Sequence, residues 1–390
     1  MEPQQWTPAA PLFQSFLQGG FEASSHRRRD GRRIDVIGGT RHDQYAAEDY
    51  RLIRGVGLST ARDALRWHLI ERTPGCYDWS SFLPMLRAAR DSGIEVIWDL
   101  CHYGVPPDLD IWAPAFVDRF AAFAGAAARL VREEGGQNAI WCPMNEVSFW
   151  SWAGGDRQEL HPYAQGQGPA LKVQLMRASI AATEAVRAVD RRARFLQAEP
   201  LIHICPNPAQ PFEDEAVEKY RMAQYESWDM LAGMLRPELG GRPELLDVVG
   251  VNFYCNNQWV HNSETLGLGH RWFRPLSDML AEVYDRYRRP LVISETGAEA
   301  PNGPGWLRYV GGEVRTALRR GVPIEGLCIY PIMDYPGWND DRHCPAGLIR
   351  LDQDYRGRSV DPEMVLAIEE QAMLLRPLLS CPHALGVAAE

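Results

Sequence analysis

The sequence lacks the features of several protein classes. Its one basic cluster is HRRRDGRR, from His26 to Arg33, within a chain of formal net charge −10. We therefore expect no nucleic-acid partner and no anionic-membrane partner, and we interpret the cluster as a solvated loop. No apolar run approaches the length of a membrane span, and the first residues, MEPQQWTPAAPLF, contain no positive segment followed by an apolar core. We expect a soluble, cytoplasmic protein.

Cysteine is sparse and dispersed. The 390 residues include eight cysteines, none in a C-x-x-C pair, and the histidines do not cluster at metal-ligand spacing. This pattern favours reduced, structural thiols over a disulfide framework or a zinc site, and it makes a metal-dependent hydrolase a weak alternative. The cysteines are Cys76, Cys101, Cys142, Cys205, Cys255, Cys328, Cys344 and Cys381.

No linker rich in glycine, serine or proline divides the chain. The proline-rich CPNPAQPFEDE, residues 205–215, is interpreted as a long loop after the fifth strand. No G-x-G-x-x-G or Walker sequence follows an early strand, which disfavours a nucleotide-binding open sheet. We predict a single catalytic domain over residues 1–390, with its core in residues 16–375.

Short apolar runs of strand length recur along the chain, separated by segments with helical periodicity. Two such helical segments are residues 115–135 and 168–192; Ser80 has the place of an N-cap, and Gly93 that of a C-terminal glycine. Eight strands alternating with helices predict a (β/α)₈ TIM barrel, with a doubly wound open sheet as the alternative. The eight runs begin at Phe16, Leu58, Glu95, Ala139, Arg194, Asp247, Pro290 and Ile324.

Two of these runs end in glutamate. Glu146 follows the fourth run, in IWCPMNEVSF, and Glu295 ends the seventh, in PLVISETGAE. Active sites of this barrel lie at the carboxyl ends of the strands, and strands four and seven lie nearly opposite one another there. Two facing carboxylates can cleave a glycosidic bond, since one protonates the leaving oxygen while the other stabilises or traps the sugar. Alternatively, either glutamate is a structural partner for an arginine at the rim.

The same motifs carry a family resemblance. CPMNEV and VISETG resemble the acid/base and nucleophile motifs of glycoside hydrolase family 1, the β-glucosidase-like retaining (β/α)₈ enzymes, and the likeness runs from about residue 16 to residue 352. The resemblance implies that Glu146 is the general acid/base and Glu295 the nucleophile. It also implies that Asn145 hydrogen-bonds the sugar 2-hydroxyl.

Other positions of the family's motifs occur in the expected order. The resemblance places Arg62 (ARDALRW) and Tyr254 (GVNFY) beside the nucleophile, His102 (DLCHYGVP) on the sugar, and Trp338 (MDYPGWND) under the sugar ring. Each also has a structural interpretation: Arg62 neutralises a rim carboxylate, His102 is a core histidine and Trp338 is packing.

Two positions depart from the family's pattern. His26 aligns where a glutamine normally binds the sugar, with Glu22 as a nearby acceptor, and Gly337 replaces a glutamate that precedes the tryptophan. Asp340 is a candidate substitute for that glutamate, together with its neighbours Asp341 and Arg342. Both departures concern sugar recognition, so the glucoside, galactoside and fucoside types remain open.

The resemblance implies a retaining exo-β-glycosidase that acts on small or oligomeric β-glycosides and needs no metal or organic cofactor. A transglycosylase using the same two glutamates is one alternative, and a non-catalytic carbohydrate-binding barrel is another. The sequence makes no prediction of oligomeric state.

Overall fold

Eight parallel strands form a closed barrel in the computed structural model, which describes residues 11–135 and 139–380. We number these strands β1 to β8, and each pairs with its neighbours in sequence while β8 closes onto β1. Every run predicted as a strand contains one, and the predicted (β/α)₈ barrel is confirmed. The strands are β1 (Leu17–Gly20), β2 (Thr60–Ala64), β3 (Glu95–Asp99), β4 (Ile140–Cys142), β5 (Arg194–Pro200), β6 (Val248–Asn252), β7 (Leu291–Thr296) and β8 (Ile324–Ile329).

Helices lie between the strands. The two predicted helical segments become α5 and α7, which pack against each other. The described helices are α1 (Val36–Gly39), α2 (His42–Gly55), α3 (Trp67–Ile70), α4 (Leu83–Ser92), α5 (Pro114–Glu133), α6 (Val147–Gly155), α7 (Gly168–Val189), α8 (Asp214–Met222), α9 (Glu226–Leu231), α10 (Leu276–Tyr287), α11 (Gly303–Arg319) and α12 (Pro362–Ser380).

The ends of α4 test the two predicted caps. Gly93 has φ 66° and its N–H bonds to the last turn, as expected of a C-terminal glycine. The prediction of Ser80 as N-cap is wrong. Asp78 caps a 3₁₀ turn, Trp79–Ser81, by accepting from the Ser80 N–H, and α4 begins one turn later at Leu83.

Three pairs of short strands lie in the loops at the carboxyl end of the barrel. The segment 205–215, predicted to be a loop, is a loop only in part. Its first residue, Cys205, ends one of these short strands, and α8 begins at Asp214. Acidic side chains in the first turn of α8 complement the helix dipole there. The pairs are His203–Cys205 with Gln258–Val260, Tyr335–Pro336 with His343–Cys344, and Ile349–Leu351 with Arg358–Val360.

Apolar side chains fill the barrel below the strand ends. A cluster that includes Ile97, Ile140, Leu196 and Val292 is buried, and Phe13 packs against it next to the amino ends of the strands. Such packing is typical of this barrel and leaves only its carboxyl end open for a site.

The cysteines of the described ranges are all unpaired, and Cys381 lies outside those ranges. None of the described helices is long and apolar enough to cross a membrane. Within the same ranges, no group of three or more histidine, cysteine, aspartate and glutamate side chains is arranged to hold a metal ion.

Candidate active site

Glu295 is held at the end of β7 by two donors from other strands. Arg62 Nη1 of β2 lies 2.7 Å from Oε1, and the Tyr254 hydroxyl, just after β6, donates to Oε2 at 2.8 Å. Burial raises the pKa of Glu295, while Arg62 and Tyr254 act in the opposite direction because they stabilise the carboxylate. The Glu295 side chain is almost fully buried, with only 6% of its surface exposed.

Glu146 is held differently, since its side-chain donors among the described residues are both neutral. The Tyr103 hydroxyl donates to its Oε2 at 2.6 Å, and Asn252 Nδ2 of β6 donates to Oε1 at 2.9 Å. Burial and then the negative charge of Glu295 raise the pKa of Glu146 to about 7, against the effect of the two hydrogen bonds. A carboxyl group with this pKa can hold a proton at neutral pH and release it.

The backbone at Glu146 adopts a left-handed conformation, with φ 43° and ψ 60°. This conformation costs on the order of 1–2 kcal/mol for a residue with a side chain. The Glu146 N–H bonds to the carbonyl of Ala198, and its own carbonyl accepts from the Trp150 N–H in α6. The strand end is thus fixed by neighbours on both sides, which sets the direction of the carboxylate.

A single guanidinium group joins the two glutamate motifs. While Nη1 of Arg62 contacts Glu295, Nη2 lies 2.7 Å from Oδ1 of Asn145, the residue before Glu146. Asp99, at the end of β3, holds the same guanidinium with two bonds of 2.9 and 2.8 Å. Residues from four strands therefore meet around one buried cation, and the two carboxylates share one site.

Asp99 also orients a histidine. Its Oδ2 lies 3.0 Å from Nδ1 of His102, and Nε2 of His102 lies 3.0 Å from the amide nitrogen of Asn145. Because Asn145 Oδ1 accepts from Arg62, its amide nitrogen must be the donor to His102. The His102 ring therefore carries its proton on Nδ1, bonded to Asp99.

Aromatic rings surround this polar cluster. The ring of Trp338 lies edge-on to His26 at 5.0 Å and to Tyr103 at 6.0 Å. His26 is buried, which together with nearby positive groups lowers its pKa to about 3, so it is neutral at physiological pH. Its Nδ1 is buried and has no hydrogen-bond partner in the described residues. His26 and Trp338 thus lie beside each other.

Asp340 does not join this cluster in the described structure. Its side chain is 60% exposed, and its carboxylate accepts from the Arg342 N–H at 3.2 Å within the same loop. No contact in the described structure supports the sugar-binding role predicted for it. Gly337 leaves no side chain at the neighbouring position, and Asp340 Oδ1 lies 2.7 Å from where a Cβ there would stand.

The basic cluster differs from the predicted solvated loop. His26 is fully buried at its start, and Arg33 is partly buried at its end with bonds to two backbone carbonyls. Only the middle of the segment, around Arg29 and Asp30, is exposed.

Three residues of the site are not predicted from the sequence. Asp99 ends β3, and a polar residue at that position was a usable signal. Asn252 lies in the GVNFY motif, two residues before Tyr254. Tyr103 follows His102 directly, but its contact with Glu146 depends on its own left-handed backbone, φ 66°, for which the sequence gives no signal.

No protein-family model matches the chain, and no curated protein matches its sequence. Solved structures match its fold. A β-glucosidase from Thermotoga maritima in complex with glucoimidazole has a TM-score of 0.74 and 16% identity, over 93% of this chain and 98% of that one. The AHE enzyme from Alicyclobacillus herbarius has a TM-score of 0.76 and 17% identity, over 93% and 99%. A T. maritima family 1 glycoside hydrolase with a cyclophellitol analogue, a transition state mimic, has a TM-score of 0.72 and 14% identity, over 93% and 98%.

Proposed function

We propose that the chain is a retaining exo-β-glycosidase, a divergent member of glycoside hydrolase family 1. The observation that carries this proposal is the Arg62 guanidinium, which contacts both Glu295 and the residue next to Glu146. The cation stabilises the ionised form of Glu295 against the effect of burial, whereas Glu146, which pairs with no cation among the described residues, is the proton carrier. Two carboxylates with these different roles are what glycoside hydrolysis requires.

Glu295 acts as nucleophile in the first half-reaction. One of its oxygens attacks the anomeric carbon, the bond from that carbon to the leaving oxygen breaks, and Glu146 gives its proton to that oxygen. Arg62 and Tyr254 favour the ionised state of Glu295 beforehand, so no proton has to leave it during attack.

Glu146 changes its role in the second half-reaction. Once Glu295 is esterified it carries no charge, which removes one cause of the raised pKa of Glu146. The ionised Glu146 then accepts a proton from water, whose oxygen attacks the anomeric carbon and releases Glu295. The hydrogen bonds from Tyr103 and Asn252 stabilise Glu146 as an anion at this stage.

The polar side chains and aromatic rings around Glu146 and Glu295 recognise the sugar in this proposal. Asn145 and His102 are bonded to each other and fixed by Arg62 and Asp99, so the Asn145 amide can present a donor, and His102 Nε2 an acceptor, to sugar hydroxyls with little reorganisation. A hydroxyl bound there would replace one of the present partners of the Asn145 amide. Trp338 offers an aromatic face beside His26.

The fold comparisons support this proposal. Two of the matching structures are described as a β-glucosidase in complex with glucoimidazole and a family 1 glycoside hydrolase complexed with a cyclophellitol analogue. At 14–16% identity they support the barrel, and the assignment of activity depends on the geometry around Glu146 and Glu295.

A panel of aryl β-glycosides with different sugars tests the activity, with proton NMR to follow the first anomer released. We expect hydrolysis with the β-anomer as the first product. Release of the α-anomer would contradict a retaining mechanism. No turnover of any member would favour a carbohydrate-binding barrel, and glycosyl transfer to an added alcohol in preference to water would favour a transglycosylase.

The roles of the two glutamates are tested by a matched pair of variants. Glu295→Gly should lose nearly all activity, and azide should rescue it on an activated substrate to give an α-glycosyl azide. Glu146→Gly with azide should give the β-azide, because the glycosyl ester on Glu295 still forms. Exchange of these two products between the variants would reverse the roles.

A further inference from the structure

The arginines of the loop between β1 and α1 differ in how their charges are compensated. Arg28 lies 2.8 Å from Asp30, and Arg32 pairs with Asp341. Arg27 and Arg33 have no carboxylate within ion-pair distance in the described part of the chain. Both are partly buried, in a protein whose net charge is −10.

These two arginines line one cavity. Its other lining residues are His161, Tyr103 and residues 105–107. About 30 Å³ of this cavity is accessible to water-sized groups. Since one water needs about 10–15 Å³ on this measure, the space suits the two or three oxygens of a small oxyanion.

The cavity is held rigidly on the side of Arg33. Nη1 of Arg33 donates to the Ser25 carbonyl at 2.5 Å, and Nη2 donates to the Val105 carbonyl at 2.9 Å. Gly104 allows the two loops to touch, because a Cβ there would lie 2.0 Å from Ser25 Oγ. The guanidinium is thus fixed by neutral acceptors, which leave its charge uncompensated.

The electrostatics of the cavity favour an anion. Burial and the charge of Arg27 lower the pKa of Arg33 to about 10, so Arg33 is still charged at neutral pH. Burial and the same arginines lower the pKa of His161, which is therefore neutral at that pH, and its Nδ1 has no partner among the described residues. A buried charge without a counter-ion is costly, and a bound oxyanion would compensate it with charge-assisted hydrogen bonds.

The cavity adjoins the candidate active site. Tyr103 forms one of its walls and donates its hydroxyl hydrogen bond to Glu146. His161 is linked to the same strand end, because its carbonyl accepts from the Trp150 indole N–H in α6, which follows Glu146. A group held in the cavity would therefore lie one side chain away from the acid/base carboxyl.

We propose that this cavity binds an oxyanion on the substrate, so that the protein acts preferentially on acidic glycosides. Arg27 and Arg33 provide the charge, and His161 provides a neutral hydrogen-bonding group. This inference rests on the proposed glycosidase function and adds a class of substrate to it. A carboxylate and a phosphate share the chemistry that these arginines recognise.

Binding is measured by calorimetry on Glu295→Gln, which cannot turn the ligands over, at low ionic strength. The ligands are 4-nitrophenyl β-glucoside, the β-glucuronide, the β-glucoside 6-phosphate and 4-carboxyphenyl β-glucoside, with galacto counterparts. We expect at least one anionic ligand to bind about tenfold or more tightly than its neutral match. The anionic ligand that binds more tightly than its neutral match shows whether the oxyanion belongs to a uronate, a phosphate or an acidic aglycone.

Arg27→Gln in the Glu295→Gln background should remove this preference, and Arg29→Gln is its matched control. Arg27 makes no side-chain hydrogen bond in the described structure, so its replacement should not disturb folding, whereas Arg29 is exposed in the same loop and outside the cavity. Equal binding of every anionic and neutral pair, or equal effects of the two replacements, would overturn the inference. Arg27-dependent binding without hydrolysis by the unmutated protein would instead overturn only the proposed activity.

Discussion

Tyr103 donates a 2.6 Å hydrogen bond to Glu146, and both residues have left-handed backbones, with φ of 66° and 43°. Each residue lies just past the end of a neighbouring strand, β3 or β4. The contact therefore results from two strained turns that point their side chains at one another. Strain of this kind persists only where the surrounding structure fixes it.

Tyr103→Phe should move the alkaline limb of the pH profile to higher pH. The hydroxyl stabilises the ionised form of Glu146, so its loss raises the pKa of Glu146 above about 7 and keeps the acid protonated further into the alkaline range. We expect a shift of about one pH unit in kcat/KM. The measurement is kcat/KM against pH on an aryl glycoside.

Tyr254→Phe is the matched control for this shift. Its hydroxyl donates to Glu295 rather than Glu146, so its loss should raise the pKa of the nucleophile and move the acidic limb upward. An alkaline limb that stays in place in Tyr103→Phe, or that moves equally in both variants, would show that Tyr103 does not set the pKa of Glu146.

Glu146→Ala should discriminate between leaving groups. A 2,4-dinitrophenolate leaves without a proton, so the first half-reaction should be nearly unaffected with that substrate, and a pre-steady-state burst should appear as the ester on Glu295 accumulates. An alkyl glycoside needs the proton, and its kcat/KM should fall by about 10²–10⁴. Equal losses for both substrates would argue against Glu146 as the acid.

Arg62→Lys should damage catalysis more than stability. Lysine keeps the charge but cannot make the separate contacts to Glu295, Asn145 and Asp99 that the planar guanidinium makes. We expect kcat/KM to fall by about 10² or more, as for the loss of a charge-assisted bond to a reacting group. The measurements are kcat/KM and the urea midpoint of unfolding.

Arg66→Lys provides the comparison for that variant. Arg66 is also buried near the end of β2, but it pairs with Asp35 and Asp43, away from the glutamates. We expect its kcat/KM to stay within about threefold of the unmutated protein, while its urea midpoint falls because the pairing with Asp35 and Asp43 is weakened. Equal losses of activity in the two variants would indicate a general structural effect of arginine replacement.

Most of the barrel could be predicted from the sequence because its strands are buried on both faces. VISET and VVGVN are short, mostly apolar runs that end in polar residues, and this pattern marks both the strand and its functional end. Gly93 was predictable for a similarly local reason, since a left-handed residue at a helix end favours glycine. The N-cap prediction at Ser80 is wrong because the chain first makes a 3₁₀ turn there, capped by Asp78, before α4 begins.

The parts of the site that escaped prediction depend on contacts between distant segments. Asn252 donates to Glu146 because the barrel brings the end of β6 close to the segment after β4. Tyr103 donates to Glu146 only in a left-handed backbone conformation that its residue type disfavours. The charges of Arg27 and Arg33 could be counted in the sequence. Whether a carboxylate compensated each one could be known only from the fold.

A second buried charge cluster, behind the barrel wall, had no sequence signal either. His42 lies between Asp49 and Asp63, with Nδ1 2.8 Å from the first and Nε2 2.9 Å from the second. Arg358 contacts the other oxygen of Asp49 at 2.9 Å, and the Tyr50 hydroxyl donates to Asp63 at 2.6 Å. These side chains are almost completely buried, so the proton on His42 is part of the folded structure.

His42→Gln should flatten the dependence of stability on pH between pH 6.5 and 9. Burial opposes protonation of His42, but the two aspartates outweigh it and raise its pKa from 6.5 to about 9. The folded state therefore binds a proton that the unfolded state has lost in this interval, so the stabilisation is fully present below pH 6.5 and is lost as the pH rises through about 9. The corresponding loss is about 3 kcal/mol in the unmutated protein. Urea unfolding at a series of pH values measures it, and parallel curves for protein and variant would show that His42 is neutral when folded.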